Sequence, residues 1–157
     1  MFKISRRLDY GLQLMISLAE AEDDRAQSTA SISEKLSIPL PFLHQIAHSL
    51  MQAGYIKATP GPRGGLRLNY KPESMTILQI VEALEGTLSL NPAEECPHCE
   101  DDGQSTTQQL WNNLQAAIGR HLENITLDML LKQHRKAGVY ILSMEQAKQD
   151  PAELHQN

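Results

Sequence analysis

Two prolines and a run of glycines divide residues 37–70, SIPLPFLHQIAHSLMQAGYIKATPGPRGGLRLNY, into short segments of different character. Pro39 and Pro41 stop a preceding helix from continuing, but they suit the first turn of a new one. The new helix is predicted from about Pro41 to Gln52, and Gly54 is its natural C-terminal stop. Its apolar residues recur at helical spacing and are predicted to be buried: Leu43, Ile46, Ala47 and Leu50.

A shorter helix is predicted before it, with Ser28 and Thr29 as candidate N-terminal caps. Two short helices joined by a tight turn form a helix-turn-helix, which many proteins use only for packing. The following residues narrow the choice, because two short strands, Tyr55 to Thr59 and Leu66 to Tyr70, flank a tip rich in Pro and Gly. This order predicts a winged helix, whose second helix can lie in the DNA major groove while the hairpin, or wing, reaches phosphates or a minor groove.

The candidate DNA contacts are the polar residues that this arrangement leaves exposed. A Gln side chain suits paired hydrogen bonds with adenine, and a His can contact a base edge or a phosphate. Arginines in the wing supply positive charge, and its glycines let the backbone approach the sugar-phosphate chain. The predicted set is Arg7, Pro41, His44, Gln45, His48, Arg63, Gly64, Gly65 and Arg67.

Two other interpretations of these residues stay open. His44 and His48 are four residues apart, a spacing that can bind a metal on one helical face. The wing arginines can also be incidental charges on a solvated hairpin. Residues 1–75 contain 9 Lys or Arg against 7 Asp or Glu, whereas the remainder contains 5 against 12. This distribution can place phosphate contacts in the first half of the chain, and a chance asymmetry on a solvated surface stays open as the alternative.

Further amphipathic helices are predicted on both sides of the winged segment. One runs from Arg6 to Ala21, and another lies in MTILQIVEALEG and closes at Gly86. The apolar stripe of the first contains Leu8, Leu12, Met15, Ile16 and Ala19, and that of the second contains Ile77, Ile80, Val81 and Leu84.

A long helix is predicted from Thr106 to Ile125, with one continuous apolar face. That face exceeds what a small winged helix can cover, so it is predicted to bury itself against a second copy in a two-fold dimer. His121 lies on this face and is predicted to be a buried core histidine. A short helix follows in NITLDMLLKQ, and no run approaches the roughly 18 apolar residues of a membrane span, which predicts a soluble cytoplasmic protein.

The only two cysteines lie in the acidic loop EECPHCEDDG, residues 94–103. A lone Cys-x-x-Cys is half of a zinc site, and the surrounding carboxylates disfavour a free thiolate unless a cation is bound. Disulfide exchange through Cys96-Pro97-His98-Cys99 is disfavoured, because such enzymes place the first cysteine at a helix N-terminus. No phosphate-binding loop, nucleophile elbow or His-Glu-x-x-His sequence is present, so an enzyme is not predicted.

Six segments in the same order give a resemblance to the Rrf-type family of bacterial winged-helix transcriptional regulators, the family of IscR, NsrR, RirA and CymR. They are RRLDYGLQLMISLA, PLPFLHQIAHSLMQAGYI, GPRGGLRL, ILQIVEALEG, LWNNL and NITLDMLL, and they cover residues 1 to about 133. The resemblance implies a homodimer that binds a partly palindromic operator. It also implies a loop that can hold an iron–sulfur cluster before the dimerisation helix.

The resemblance carries over only in part to the cysteine loop. Cluster-bearing relatives usually have three cysteines there, whereas here Cys99 matches the middle one, Cys96 matches the first with an altered gap, and Ser105 stands at the third. Asp9 matches the carboxylate that the partner's first helix supplies in the family, and Gln13 stands where some relatives use His. The implied ligand set for a [2Fe–2S] cluster is therefore nonstandard: Cys96, Cys99, His98 and Asp9. Zinc, a reversible Cys96–Cys99 bridge and a loop that has lost its sensor stay open.

The fold class expected from these features is mainly α with a small β-wing. Residues 1–86 are predicted to form the winged helix-turn-helix domain, 87–105 the cysteine-containing sensor loop, 106–143 the dimerisation helices and 144–157 a flexible tail. The expected function is that of a dimeric DNA-binding regulator that senses iron–sulfur, redox or nitric oxide status. The alternatives are a winged helix that binds another protein and a family member without a metal sensor.

Overall fold

A computed structural model of the chain describes residues 4–21, 25–62, 64–90 and 106–137. The predictions for Arg63, the cysteine loop and the tail from residue 144 lie outside these ranges.

The described chain is mainly helical with a two-stranded antiparallel sheet, which confirms the predicted fold class. One 3-10 turn, Pro72–Ser74, follows the sheet, and the last helix, α6, covers residues 127–137 of the described part. The other elements in chain order are α1 (Arg6–Ala19), α2 (Thr29–Leu36), α3 (Leu40–Gln52), β1 (Ile56–Thr59), β2 (Gly65–Leu68), α4 (Ile77–Glu85) and α5 (Thr106–Glu123).

Side-chain caps define where the helices start. The Ser28 hydroxyl accepts a hydrogen bond from the Ser31 backbone N–H at 3.1 Å, as the sequence predicted for α2. Thr76 and Gln79 form a reciprocal capping box at the start of α4. Each cap satisfies backbone N–H groups that have no partner within the helix, so both starts are fixed locally.

The turn between α2 and α3 depends on two serines. Ser37 adopts a left-handed conformation with φ 53° and ends α2. The Ser33 hydroxyl donates to the Ile38 carbonyl at 2.6 Å, and the Ile38 N–H donates to the Ser33 carbonyl at 3.0 Å. These bonds close the turn immediately before Pro39, which stands at the N-cap of α3.

The core is built from the faces of α3 and α4 that the sequence predicted. The four α3 residues predicted to be buried and the four residues of the predicted α4 stripe are all buried. The predicted amphipathic helix α1 forms, and its predicted apolar stripe packs against the core, although other residues of the helix are more deeply buried. Its buried residues are Gly11, Leu14, Met15, Ser17 and Leu18, whereas four of the five predicted residues, Leu8, Leu12, Ile16 and Ala19, are only partly buried.

The C-terminal helix returns to this core. The Leu127 N–H donates to the Met75 carbonyl at 2.9 Å, and the Ile77 N–H donates to the Ile125 carbonyl at 2.8 Å. The Leu127 side chain is completely buried among residues of the winged helix. At the far end of α6, His134 lies 3.5 Å from Glu20, which also pairs with Lys35 at 3.0 Å. These contacts join α1, α2 and α6.

Helix α5 is different, because none of its 18 residues is buried in the described chain. Its residues Asn112, Gln115, Ala116 and Gly119 line a groove beside α4 together with Leu78 and Glu82. Leu110, on the predicted apolar face, is 57% exposed. His121 is also exposed in this chain, so the prediction of a buried core histidine is not met within one subunit. Within the described ranges, none of the helices has the length and apolar character of a membrane span.

Candidate nucleic-acid interface

Helix α3 presents a polar face because its apolar face is fixed in the core. Leu43, Ile46 and Leu50 are fully buried, so the intervening side chains must point outwards. The predicted contacts Pro41, His44, Gln45 and His48 are all exposed on this outer face. The structure therefore brings together the four predicted residues of α3 on one surface.

The polar groups of this face have few internal partners. The His44 Nε2 atom lies 3.5 Å from the Thr29 hydroxyl at the start of α2, a long contact. Within the described chain, the side chains of Gln45 and His48 form no hydrogen bond. Their donors and acceptors are thus available to base edges or phosphates.

Arg7 lies behind α3 and does not project freely. Its Nη2 donates to the Ser49 hydroxyl at 2.7 Å, and the Ser49 hydroxyl donates to the Gln45 carbonyl at 3.3 Å. The Arg7 Nε is buried and has no hydrogen-bond partner among the described residues. An edge-to-face contact between Tyr10 and Phe42, with ring centroids 5.7 Å apart, also joins α1 to α3. Arg7 is therefore engaged inside the fold, which the sequence did not indicate.

The wing places two cations directly opposite each other. In the antiparallel register Lys57 pairs with Arg67, so their side chains share one face of the hairpin. Neither side chain forms an ion pair within the described chain. Like charges in this position repel, and an anion such as a phosphate would relieve the repulsion. Sequence reasoning selected Arg67 and missed Lys57, although the strand register places them together.

Gly64 and Gly65, the two wing glycines predicted to contact DNA, lie close to other backbone atoms of the chain. A Cβ atom on Gly65, where φ is 151°, would overlap the carbonyl group of Gln27. Gln27 and Leu66 exchange backbone hydrogen bonds of 2.9 and 2.8 Å, which tie the segment before α2 to β2. A Cβ on Gly64 would overlap the Thr59 carbonyl oxygen. Both glycines thus allow close packing of backbone within the chain.

A further basic residue, Arg25, lies beside the wing. Arg25 is exposed and lines a cleft with Ala26, Ser28, Pro62 and Gly64, next to the start of α2. The sequence did not indicate a role for Arg25, because this residue precedes the helix-turn-helix and matches no motif. The Gln27–Leu66 bridge brings this segment to the wing.

Tyr55 stands where α3 passes into the wing. Burial raises the pKa of its hydroxyl above the ordinary value of 10.0, and the nearby Glu82 and Tyr70 raise it further. The phenol is therefore neutral at physiological pH and adds no negative charge beside the wing.

The predicted carboxylate ligand Asp9 lies on the outer surface of α1. It is exposed, and its Oδ2 accepts a hydrogen bond from the Gln13 side-chain amide at 2.9 Å. Within the described ranges, no group of three or more His, Cys, Asp or Glu side chains is close enough to hold a metal ion. The other three predicted ligands, Cys96, His98 and Cys99, lie outside those ranges.

Comparisons with known proteins agree with this architecture. Residues 4–133 match the Rrf2 family, described as an iron-dependent transcriptional regulator. The chain is 28% identical over 130 residues to the transcriptional regulator IscR of Vibrio campbellii, covering 83% of this chain and 77% of that protein. It is 31% identical over 128 residues to the transcriptional regulator CymR of Bacillus subtilis, covering 82% of this chain and 88% of that protein.

Solved structures give the same result. The structure of B. subtilis CymR, described as the global cysteine regulator, superimposes with a TM-score of 0.71 at 30% identity and covers 85% of this chain and 98% of that one. The structure of T. potens IscR superimposes with a TM-score of 0.72 at 29% identity and covers 87% of this chain and 90% of that one. These relatives are transcriptional regulators and not enzymes. The chain therefore belongs to the Rrf2 family of transcriptional regulators.

Proposed function

We propose that this regulator binds a partly palindromic DNA operator as a homodimer in the cytoplasm, with α3 in the major groove and the wing against the sugar-phosphate chain. The observation that carries the proposal is the outer face of α3, where the side chains of Gln45 and His48 are exposed and form no hydrogen bond with other described residues. The two facing cations of the wing, Lys57 and Arg67, support it, because they place two positive charges side by side where a phosphate would be attracted. The full proposed contact set is Pro41, His44, Gln45, His48, Arg63, Gly64, Gly65 and Arg67, together with Lys57 and Arg25. Arg7, the remaining residue of the predicted set, is left out of the direct contacts because its guanidinium is bound to Ser49 behind α3.

A selection from random double-stranded DNA tests this proposal. The wild-type chain is expected to enrich one partly palindromic sequence. Gln45→Ala is expected to relax the preference at one base pair of each half-site by about 1–3 kcal/mol, because a paired side-chain contact is lost. Lys57→Ala is expected to weaken all DNA sequences alike and to reduce the slope of log affinity against log salt by about 1.

Gln109→Ala is the matched control for the Gln45 variant, since Gln109 is an exposed glutamine on α5. Its DNA preference is expected to equal that of the wild type. If no sequence is enriched by the wild-type chain, the winged helix does not read DNA, and binding to another protein becomes the better explanation.

The dimer is proposed on the basis of α5. Part of its apolar stripe is uncovered in the single subunit, because Leu110 is 57% exposed and Ala117 is also exposed, whereas Leu122 at the end of the helix packs against the core. A second copy is the occupant that fits, because the same stripe on both subunits is complementary to itself about a two-fold axis. Two recognition helices held in this way would meet half-sites separated by one turn of the duplex.

Sedimentation over a range of concentrations tests the dimer. Leu110→Asp is expected to raise the dimer dissociation constant at least about tenfold, because it places two charges in an apolar interface. Gln109→Asp is the control, as it adds the same charge in the same turn but off the stripe. A wild-type chain that remains at its monomer mass of 17.5 kDa would contradict the dimer.

We further propose that residues 87–105 act as the sensor and bind a [2Fe–2S] cluster through Cys96, Cys99 and His98, with Asp9 of the partner subunit as the fourth ligand. The donor set fits, because two thiolates, an imidazole and a carboxylate carry less negative charge than four thiolates and suit an acidic loop. The exposure of Asp9 also supports a ligand supplied across a subunit interface. The cluster would supply a redox-sensitive charge at this interface, and Gln13 would hold the Asp9 carboxylate in one orientation.

The visible absorption spectrum of anaerobically purified protein, with iron, sulfide and zinc measured on the same sample, tests the sensor. We expect a coloured chromophore that Cys96→Ala and Cys99→Ala remove, while Asp9→Asn weakens it. Zinc without colour would replace the cluster by a zinc site. A colourless, metal-free dimer would mean that the loop has lost its sensor or acts through a Cys96–Cys99 bridge.

A further inference from the structure

One charged side chain of α1 reaches the recognition helix from behind. The Arg7 Nη2 atom donates to the Ser49 hydroxyl at 2.7 Å, across 42 positions of sequence. Ser49 in turn donates to the carbonyl of Gln45, which is one turn earlier on α3. The guanidinium therefore contacts α3 at the turn that carries its outward-facing Gln45.

The start of α1 is itself held in place. The Ser5 hydroxyl accepts a hydrogen bond from the Leu8 N–H at 3.0 Å and donates to the Glu85 carboxylate at 2.7 Å. One turn along, Gly11 lies so close to Leu84 that a Cβ atom would overlap that side chain. Because α1 is pinned to the end of α4 at these two places, Arg7 projects from a fixed base.

The rest of the guanidinium is confined. Arg7 is half-buried, and its buried Nε has no hydrogen-bond partner in the described part of the chain. The Arg67 Nε in the wing is buried without a partner in the same way, so the hydrogen bond from Nη2 to Ser49, and not the Nε, is what distinguishes Arg7.

We propose that Arg7 is a positioning residue that fixes the orientation of α3 through Ser49, and that it contributes to sequence discrimination without contacting DNA itself. The proposal rests on the proposed DNA-binding function and refines the role of one residue in it. Its physical basis is that bidentate base recognition fails when the recognition helix shifts by a fraction of an ångström. The bond between Arg7 and Ser49 opposes such a shift.

The alternative role, a direct phosphate contact, makes different predictions. Removing a phosphate contact weakens specific and non-specific DNA about equally and lowers the salt slope by about 1. Losing a positioning residue weakens only the specific complex and leaves the salt slope unchanged. Ser49 carries no charge, so Ser49→Ala removes the bond that positions α3 without removing a positive charge. Arg7→Ala removes both and cannot separate the two roles.

The experiment measures the affinity of the full-length protein for the DNA sequence selected by the wild type and for a scrambled duplex, each at several salt concentrations. Ser49→Ala and Arg7→Ala are each expected to weaken the selected sequence about tenfold, which corresponds to one charge-assisted hydrogen bond. The double variant is expected to be no weaker than Arg7→Ala, because the two residues act through one bond. Affinity for the scrambled duplex and the salt slope are expected to stay at wild-type values.

Ser49→Thr is the conservative variant and keeps the hydroxyl, so it is expected to retain wild-type affinity. Thermal unfolding of each variant separates positioning from loss of fold, and the free protein is expected to unfold within a few degrees of the wild type. Unchanged affinity in Ser49→Ala, or a salt slope lowered by about 1 in Arg7→Ala, would overturn the positioning role while leaving DNA binding intact. A wild-type chain that selects no DNA would overturn both.

Discussion

Among the described residues other than glycine, Ser37 has a positive φ, and it lies in the tight turn between α2 and α3. A left-handed conformation costs a residue with a Cβ atom roughly 1–2 kcal/mol. The left-handed conformation allows the chain to end α2 and place Pro39 at the N-cap of α3 with three residues between the two helices. A strained residue at this point makes the helix-turn-helix less stable than it could be.

Ser37→Gly is therefore expected to stabilise the protein by about 0.5–1 kcal/mol, after the greater entropy of the unfolded glycine chain is subtracted. Denaturant unfolding measures the change, and Ser37→Ala is the control because it keeps the Cβ atom and gains nothing from the turn. A Gly variant no more stable than the Ala variant would show that the turn is not strained.

At Gly65, unlike at Ser37, the fold requires a glycine. Gly65→Ala is expected to destabilise the protein by more than about 2 kcal/mol, because the added methyl group meets the Gln27 carbonyl and the left-handed φ disfavours it. Gly61→Ala is the matched control. Gly61 also has a positive φ, of 107°, but no atom lies within 4 Å of its would-be Cβ.

Denaturant unfolding of the two glycine variants separates backbone strain from steric overlap. The difference between them is expected to be the cost of the overlap with Gln27. Equal destabilisation would mean that the positive φ alone causes the loss of stability, and that the bridge between Gln27 and Leu66 tolerates a methyl group.

At the scale of elements, all three of the helices α1, α3 and α4 were predictable, but the most deeply buried face of α1 was not. The apolar residues of α3 and α4 lie on one stripe, and that stripe is buried in each case. Helix α1 has apolar residues on more than one side, and its most buried face includes Gly11 and Ser17, which pattern analysis does not count as core. Close approach to α4 makes a small residue necessary there, and no property of the α1 sequence alone reveals that neighbour.

The start of α4 depends on its capping box. Thr76→Ala is expected to cost about 1 kcal/mol, because the Gln79 N–H loses its acceptor at the helix start. Thr76→Ser keeps the hydroxyl and is expected to remain within about 0.5 kcal/mol of the wild type. Urea unfolding compares the two, and equal losses would show that the threonine methyl group matters more than the cap.

At the scale of the whole molecule, the C-terminal helix completes the core of the winged helix. Leu127→Ala is expected to destabilise the entire described fold by about 2–5 kcal/mol, because the side chain is fully buried beside Met75. The unfolding transition is expected to remain single, since both segments share one core.

Met129→Ala is the control for this variant, as Met129 is 46% exposed two positions along the same helix. It is expected to change the unfolding free energy by less than about 0.5 kcal/mol. Two separate transitions in the Leu127 variant would mean that the C-terminal helix and the winged helix fold independently.

The sequence by itself determined the helices, the glycine-tipped hairpin, the cap at Ser28 and the outward face of α3, because each depends on local spacing, proline and glycine chemistry or a stripe of apolar residues. Tertiary structure alone decided the pairing of Lys57 with Arg67, the bond from Arg7 to Ser49 and the packing of Gly65 against Gln27. These features join residues up to 42 positions apart. Their distances follow from how helices and strands pack, which periodicity along one segment does not contain.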